Sequence, residues 1–172
     1  MIPDPASFRL DAGDYHALNK LVFRRCWVPR LYWAFAVICA ALLSAIFLES
    51  ITLESVMPII VGIMAGGAVL AFKRLMLRRR SLKVFAESAS LRELQTISAI
   101  NGGFSTEQES GTTKLRWENV AKWDETADIF AIFPNRLMAY ILPKVKVRAA
   151  MIDYMRNQLI EAGLPKPGKL RK

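Results

Sequence analysis

Two stretches dominate the hydropathy pattern. Leu31 to Leu48 reads LYWAFAVICAALLSAIFL, and Ser55 to Phe72 reads SVMPIIVGIMAGGAVLAF; neither contains a charge. A bilayer core of about 30 Å needs about 20 apolar residues as helix. With flanks from Trp27 to Ser50 and from Ile51 to Phe72, both runs reach that length. The pattern predicts a transmembrane hairpin over residues 27–77, with helices at about 29–49 and 53–74. A buried apolar hairpin in a water-exposed protein is the competing reading, but a chain this short has little left with which to cover two such runs.

Outside these runs the period changes. Tyr15, Leu18, Leu21 and Val22 share one helical face, and Asp11 is placed to cap a helix running to about Arg25, after a brief extended piece at Ser7–Leu10. This forms an N-terminal strand and helix over residues 1–26. Farther on, Thr113, Leu115 and Trp117 alternate with Lys114 and Arg116, as in a half-buried strand. Ile129–Phe133 and Leu137–Leu142 are continuous apolar runs of strand length. Turn signals at Asn101-Gly102-Gly103, Ser110-Gly111, Thr126-Ala127-Asp128 and Pro134-Asn135 separate them. Five or more antiparallel strands are expected between Leu94 and Pro143. Met151, Ile152, Met155, Leu159 and Ile160 then stripe a closing helix that Gly163 and Pro165 stop. A meander followed by one amphipathic helix predicts a small barrel plugged by that helix, since closure removes exposed strand edges. This domain spans residues 78–165, and a basic tail occupies 166–172.

Charge supplies orientation. Lys20, Arg24, Arg25 and Arg30 precede the first run, and Lys73, Arg74, Arg78, Arg79, Arg80 and Lys83 follow the second. Only Glu49 and Glu54 carry charge between Leu31 and Phe72. The positive-inside rule puts both termini in the cytoplasm, with Trp27, Tyr32 and Trp33 at the inner interface. A cleavable signal is disfavoured, because Glu49-Ser50-Ile51 is a poor cleavage site and a second apolar run follows at once. Gly62 and Gly66 form a GxxxG, and Ala36, Ala40 and Ser44 repeat at four-residue spacing. Such small residues let helices approach closely, within one chain or between copies in a homo-oligomer.

Composition narrows the chemistry. The 172 residues are 53% apolar, with 24 Lys plus Arg against 15 Asp plus Glu and a net charge of +9. Disorder is excluded by that hydrophobicity. One His and two Cys supply no zinc spacing and no nucleophile–base pair; Cys26 and Cys39 read as packing residues and His16 as a helix surface residue. No catalytic residue, metal ligand or cofactor site is predicted. Trp117 and Trp123 read as core, Asp124, Glu125 and Asp128 as a solvated turn, and Gly102-Gly103 as a turn outside any phosphate-loop pattern. Arg24, Arg25, Arg30, Lys73, Arg74, Arg78, Arg79 and Arg80 are candidate topology or anionic-lipid contacts. Nucleic acid is disfavoured because no recognition helix or aromatic-basic ribbon accompanies the cluster.

The stretch LRWENVAKWDETADIFAIFPNRLMAYILPK, Leu115 to Lys144, resembles the core of the YcxB-like protein family: a Trp, a short polar turn, an aromatic-rich strand pair, then an apolar strand ending in Pro-Lys. The order of parts is also similar. The resemblance implies an α+β membrane protein with a two-helix anchor and a cytoplasmic pleckstrin-homology-like (PH-like) domain. It implies no enzymatic activity. Val145-Lys146-Val147 departs from the Ser or Thr cap the family tends to place before the last helix. The expected function is a non-enzymatic module that holds a protein or an anionic lipid headgroup at the membrane surface. An immunity protein against a delivered or membrane-acting toxin is the alternative, and an enzyme acting on lipid or peptide ranks last.

Overall fold

The computed structural model describes residues 2–25, 32–34, 36–38 and 53–168. The chain divides into two compact units, Met1–Leu21 with Arg80–Lys172, and Val22–Arg79.

In the first unit, strand β1 (Ala6–Arg9) leads into helix α1 (Ala12–Arg25). The α1 start is a reciprocal cap: Asp14 N–H donates to Asp11 Oδ1 at 2.8 Å, and Asp11 N–H donates to Asp14 Oδ2 at 3.0 Å. β2 (Leu94–Ile100), β3 (Gly103–Gln108) and β4 (Gly111–Arg116) follow, then a 3-10 turn (Trp117–Asn119), β5 (Lys122–Glu125), β6 (Ile129–Phe133) and β7 (Tyr140–Pro143). All pairings are antiparallel, in two sheets ordered β1-β2-β3-β4 and β5-β6-β7. The first strand of the chain therefore completes a sheet built almost 90 residues later, with Ala6 opposite Ile97.

The expected barrel is not formed. Hydrogen bonding stops at β1 and β4 in one sheet and at β5 and β7 in the other, and the 3-10 turn interrupts the ladder where closure would join β4 to β5. The β4 edge is exposed and carries Lys114 and Arg116, charges that discourage edge-to-edge pairing. Gly103 lies so close to this strand that an added Cβ would sit 2.1 Å from the Leu115 carbonyl oxygen, so only glycine fits there.

Helix α4 (Ala149–Glu161) buries Met151, Ile152, Met155 and Leu159 in the core shared by both sheets. Ile160 falls off this stripe and is exposed. Gly163, with φ of 92°, ends α4 in a Schellman motif: Leu164 N–H donates to the Leu159 carbonyl at 2.9 Å and Gly163 N–H to the Ile160 carbonyl at 3.1 Å. The chain then turns back onto β5. Trp123 Nε1 donates to the Leu164 carbonyl at 2.9 Å, and Gly168 N–H to the Trp123 carbonyl. Trp117 and Trp123 are both core residues, and all five residues of β6 are buried, which is why that strand reads as an unbroken apolar run. The run beginning at Leu137 becomes strand only from Tyr140; Leu137 and Met138 lie exposed in the connection before it. Val22 is exposed instead of lining the buried face of α1.

In the second unit, residues 32–34 and 36–38 are helical; α2 (Leu53–Glu87) is a 35-residue helix whose part up to Arg79 belongs to this unit and whose remainder, with the short α3 (Ala89–Arg92), belongs to the first. Among the described residues no helix is long and apolar enough to cross a membrane, which corrects the transmembrane hairpin. The physical reason lies in α2. Its uncharged part is bounded by Glu54 on one side and by Lys73 and Arg74 on the other. Those residues, Ser55 to Phe72, cover about 27 Å at about 1.5 Å per residue, short of a bilayer core of about 30 Å, and Lys73, Arg74, Arg78, Arg79 and Arg80 charge the rest of the helix. Arg30, Cys26, Trp27, Cys39, Ala40, Ser44, Glu49 and most of the first apolar run lie outside the described residues, as do the side chains of Arg25 and Glu54 and the end of the basic tail.

Candidate functional site: an apolar and basic helix

The second unit keeps apolar side chains at its surface. Tyr32 and Ala36, four residues apart, are half-buried on one face, whereas Trp33, Val37 and Ile38 are exposed. The half-buried face meets α2 at its glycines. Tyr32 Oη lies 3.3 Å from the Ile63 carbonyl oxygen and 3.5 Å from that of Gly62, and its ring occupies the space above Gly66. Of the five predicted packing residues, Gly66 lies under the Tyr32 ring, Gly62 is exposed and meets Tyr32 only through its carbonyl oxygen, and Ala36 is half-buried; Ala40 and Ser44 lie outside the described residues. The partner of Gly66 is an aromatic ring, which small-residue spacing alone does not reveal.

Away from that contact, Ile60, Ile63, Met64, Val69, Phe72 and Leu75 are exposed along α2, Met64 by 69% and Phe72 by 59%. Contiguous apolar surface of this kind marks interaction with a partner or a membrane. Lys73, Arg74, Arg78, Arg79 and Arg80 follow at once, and all are exposed. At about 100° per residue they are distributed around the whole helix as a collar. Among the described residues none of the five pairs with a carboxylate. Lys83 is different, lying 3.8 Å from Glu87 one turn on. Arg24, near the end of α1, is likewise exposed.

The titratable clusters of the first unit have another character. Lys146 Nζ donates to Asp11 Oδ2 at 2.8 Å, to Asp14 Oδ2 at 2.7 Å and to the Arg9 carbonyl at 3.0 Å. These bonds hold the Asp11 carboxyl below its ordinary range, chiefly through the Lys146 hydrogen bond. Burial pulls the Lys146 ammonium down, but hydrogen bonds to Asp11 and Asp14 outweigh it and leave the group raised. The lysine thereby links the connection before α4 to the start of α1, and α4 itself has no side-chain N-cap. A missing Ser or Thr was the only sequence signal at this position.

Glu125 is gripped from two sides, by Lys144 Nζ at 2.9 Å and Arg156 Nη2 at 2.8 Å. Burial alone raises its carboxyl, but hydrogen bonds from Arg156 and Lys144 prevail and hold it low. Arg156, which also donates to Asp153, is raised mainly by its bond to Glu125. The acidic turn is thus only partly solvated: Asp124 is buried and accepts from the Glu125 N–H at 2.9 Å. All these shifts favour the ionised forms. An acid–base catalyst needs the opposite, a carboxyl moved toward neutrality. Among the described residues no group of three His, Cys, Asp or Glu is placed to hold a metal ion.

Residues 101–159, from the β2–β3 turn to the last core residue of α4, match the family model described as YcxB-like protein. The resemblance carried by Leu115–Lys144 therefore holds over a longer segment, which excludes β1, α1 and α2. No curated protein and no solved structure matches the chain.

Proposed function

For this chain, YcxB-like over residues 101–159, we propose a non-enzymatic role at an anionic membrane surface. The protein associates with the cytoplasmic leaflet of a bacterial inner membrane and keeps its sheet-and-helix unit beside the headgroups. One observation carries this reading: exposed apolar side chains from Ile60 to Phe72 run directly into five exposed cations that no carboxylate neutralises among the described residues. Apolar side chains favour the acyl boundary, and each basic residue near an anionic leaflet contributes about 1 kcal/mol. The ion-paired carboxylates of the first unit support a structural role for them.

The test is vesicle flotation of the full-length protein, diluted from detergent onto phosphatidylcholine vesicles with or without phosphatidylglycerol. Changing Arg78, Arg79 and Arg80 to Gln removes about 3 kcal/mol, so partition to the anionic vesicles falls by roughly a hundredfold while the neutral ones are unaffected. A triple variant that floats like the wild type on anionic vesicles removes the collar from the contact. A wild-type protein that floats on neither refutes the proposal.

A further inference from the structure

The connection between β6 and β7, residues 134–139, presents the most exposed large apolar side chain of the described residues. Leu137 is 96% exposed, Met138 is 56% exposed, and Arg136 beside them is exposed as well. This is a fixed loop. Asn135 Oδ1 accepts the N–H groups of both Leu137 and Met138 at 2.8 Å, an Asx turn that sets the tip in one shape. At its base the Lys122 ammonium lies 4.3 Å from the centre of the Phe133 ring.

Charge distinguishes this tip from an exposed apolar residue that follows β7. Val145, after β7, is 94% exposed, but the cations around it are all paired: Lys144 with Glu125, Lys146 with Asp11 and Asp14, Arg148 with Asp4. Arg136 and Lys122 meet no carboxylate among the described residues. No Asp or Glu occurs anywhere from Ile129 to Ile152. Exposed apolar side chains and unpaired cations thus coincide at one end of β6 and β7.

We infer that residues 135–138 form a lipid-contact loop of their own. Leu137 and Met138 enter the headgroup–acyl boundary of an anionic bilayer, and Arg136 and Lys122 meet headgroup phosphates. Two side chains offer far less than the roughly 800 Å² per partner of a stable protein interface, which disfavours a protein occupant. The preset turn lowers the entropy lost on insertion. A loop this small binds lipid only marginally by itself and needs a second attachment, so the inference rests on the membrane role proposed above.

The experiment uses full-length protein with Cys26→Ser and Cys39→Ser, carrying an environment-sensitive NBD label at Leu137→Cys or, as control, Val145→Cys. Emission and flotation are read on the same vesicle samples. The expected result is a blue shift at position 137 on anionic vesicles and none at 145. Separately, Leu137→Asp with Met138→Asp weakens partition by about tenfold or more. Flotation with unchanged emission at 137 overturns the loop and leaves the helix reading standing. Absence of flotation overturns both. A blue shift that appears without lipid as protein concentration rises identifies a second copy as the occupant and overturns the inference.

Discussion

Gly66 and Gly62 occupy the same motif but not the same environment, and alanine distinguishes them. At Gly62 an added Cβ meets nothing within 4 Å; at Gly66 it would lie 1.5 Å from Tyr32 Oη, 1.9 Å from Cζ and 2.1 Å from Cε2. Glycine to alanine inside a helix gains about 1 kcal/mol of propensity. Gly62→Ala realises that gain. Gly66→Ala forces the Tyr32 ring aside, which forfeits a hydrogen bond of about 1 kcal/mol and adds overpacking of about 1–3 kcal/mol. Its net effect is therefore a loss of about 1–3 kcal/mol. Denaturant unfolding of the full-length protein in detergent, followed by far-UV circular dichroism, measures both changes. The cycle with Tyr32→Ala is decisive, because removing the ring turns Gly66→Ala into a gain of about 1 kcal/mol. If Gly66→Ala has the same effect with and without Tyr32, the Tyr32 ring does not pack on Gly66.

Two further outcomes follow from the first unit. Glu125 and Asp11 have lowered carboxyl pKa values in the folded state, so their stabilisation is present above the unfolded carboxyl pKa and is lost as pH falls through the folded value. Acid unfolding of Glu125→Gln accordingly starts from a lower stability, by about 1–2 kcal/mol for a partly buried pair, and shows a shallower loss as pH falls below the ordinary carboxyl range; an acid limb as steep as the wild type's refutes the pairing. Leu159 is fully buried at the junction of α4 and both sheets, so Leu159→Ala costs about 2–5 kcal/mol in urea unfolding, and a cost under 1 kcal/mol contradicts the shared core.

Local pattern foretold local structure well. The Ile129–Phe133 run appears as a strand buried at every position, and the Met151, Met155, Leu159 stripe as a helix of period 3.6; the alternation from Thr113 gives a strand only as far as Arg116, with Thr113 exposed and Trp117 in the 3-10 turn. Long-range features were not legible. Whether the seven strands of the described residues close into a barrel or stop as two sheets depends on pairing at edges, which the sequence of each strand does not encode. Leu137 looks like core by residue type, yet the Pro134-Asn135 turn holds it out of the ladder. Lys146 reaches Asp11 across 135 positions, so its role as a fastener is invisible to any window. In α2, Lys73 and Arg74 bound the apolar stretch, and that pattern, legible as charge placement, carries the candidate site.

In the proposed function, exposed apolar and basic side chains bring this chain to anionic lipid. The measurement for it is partition of the full-length protein to vesicles with and without phosphatidylglycerol across a salt series. The predicted result is tighter binding to the anionic vesicles, a preference that shrinks as salt screens the collar, and a residual apolar binding that salt does not remove. Binding that ignores both lipid charge and salt, or no partition to either vesicle, rules out attachment through the basic collar.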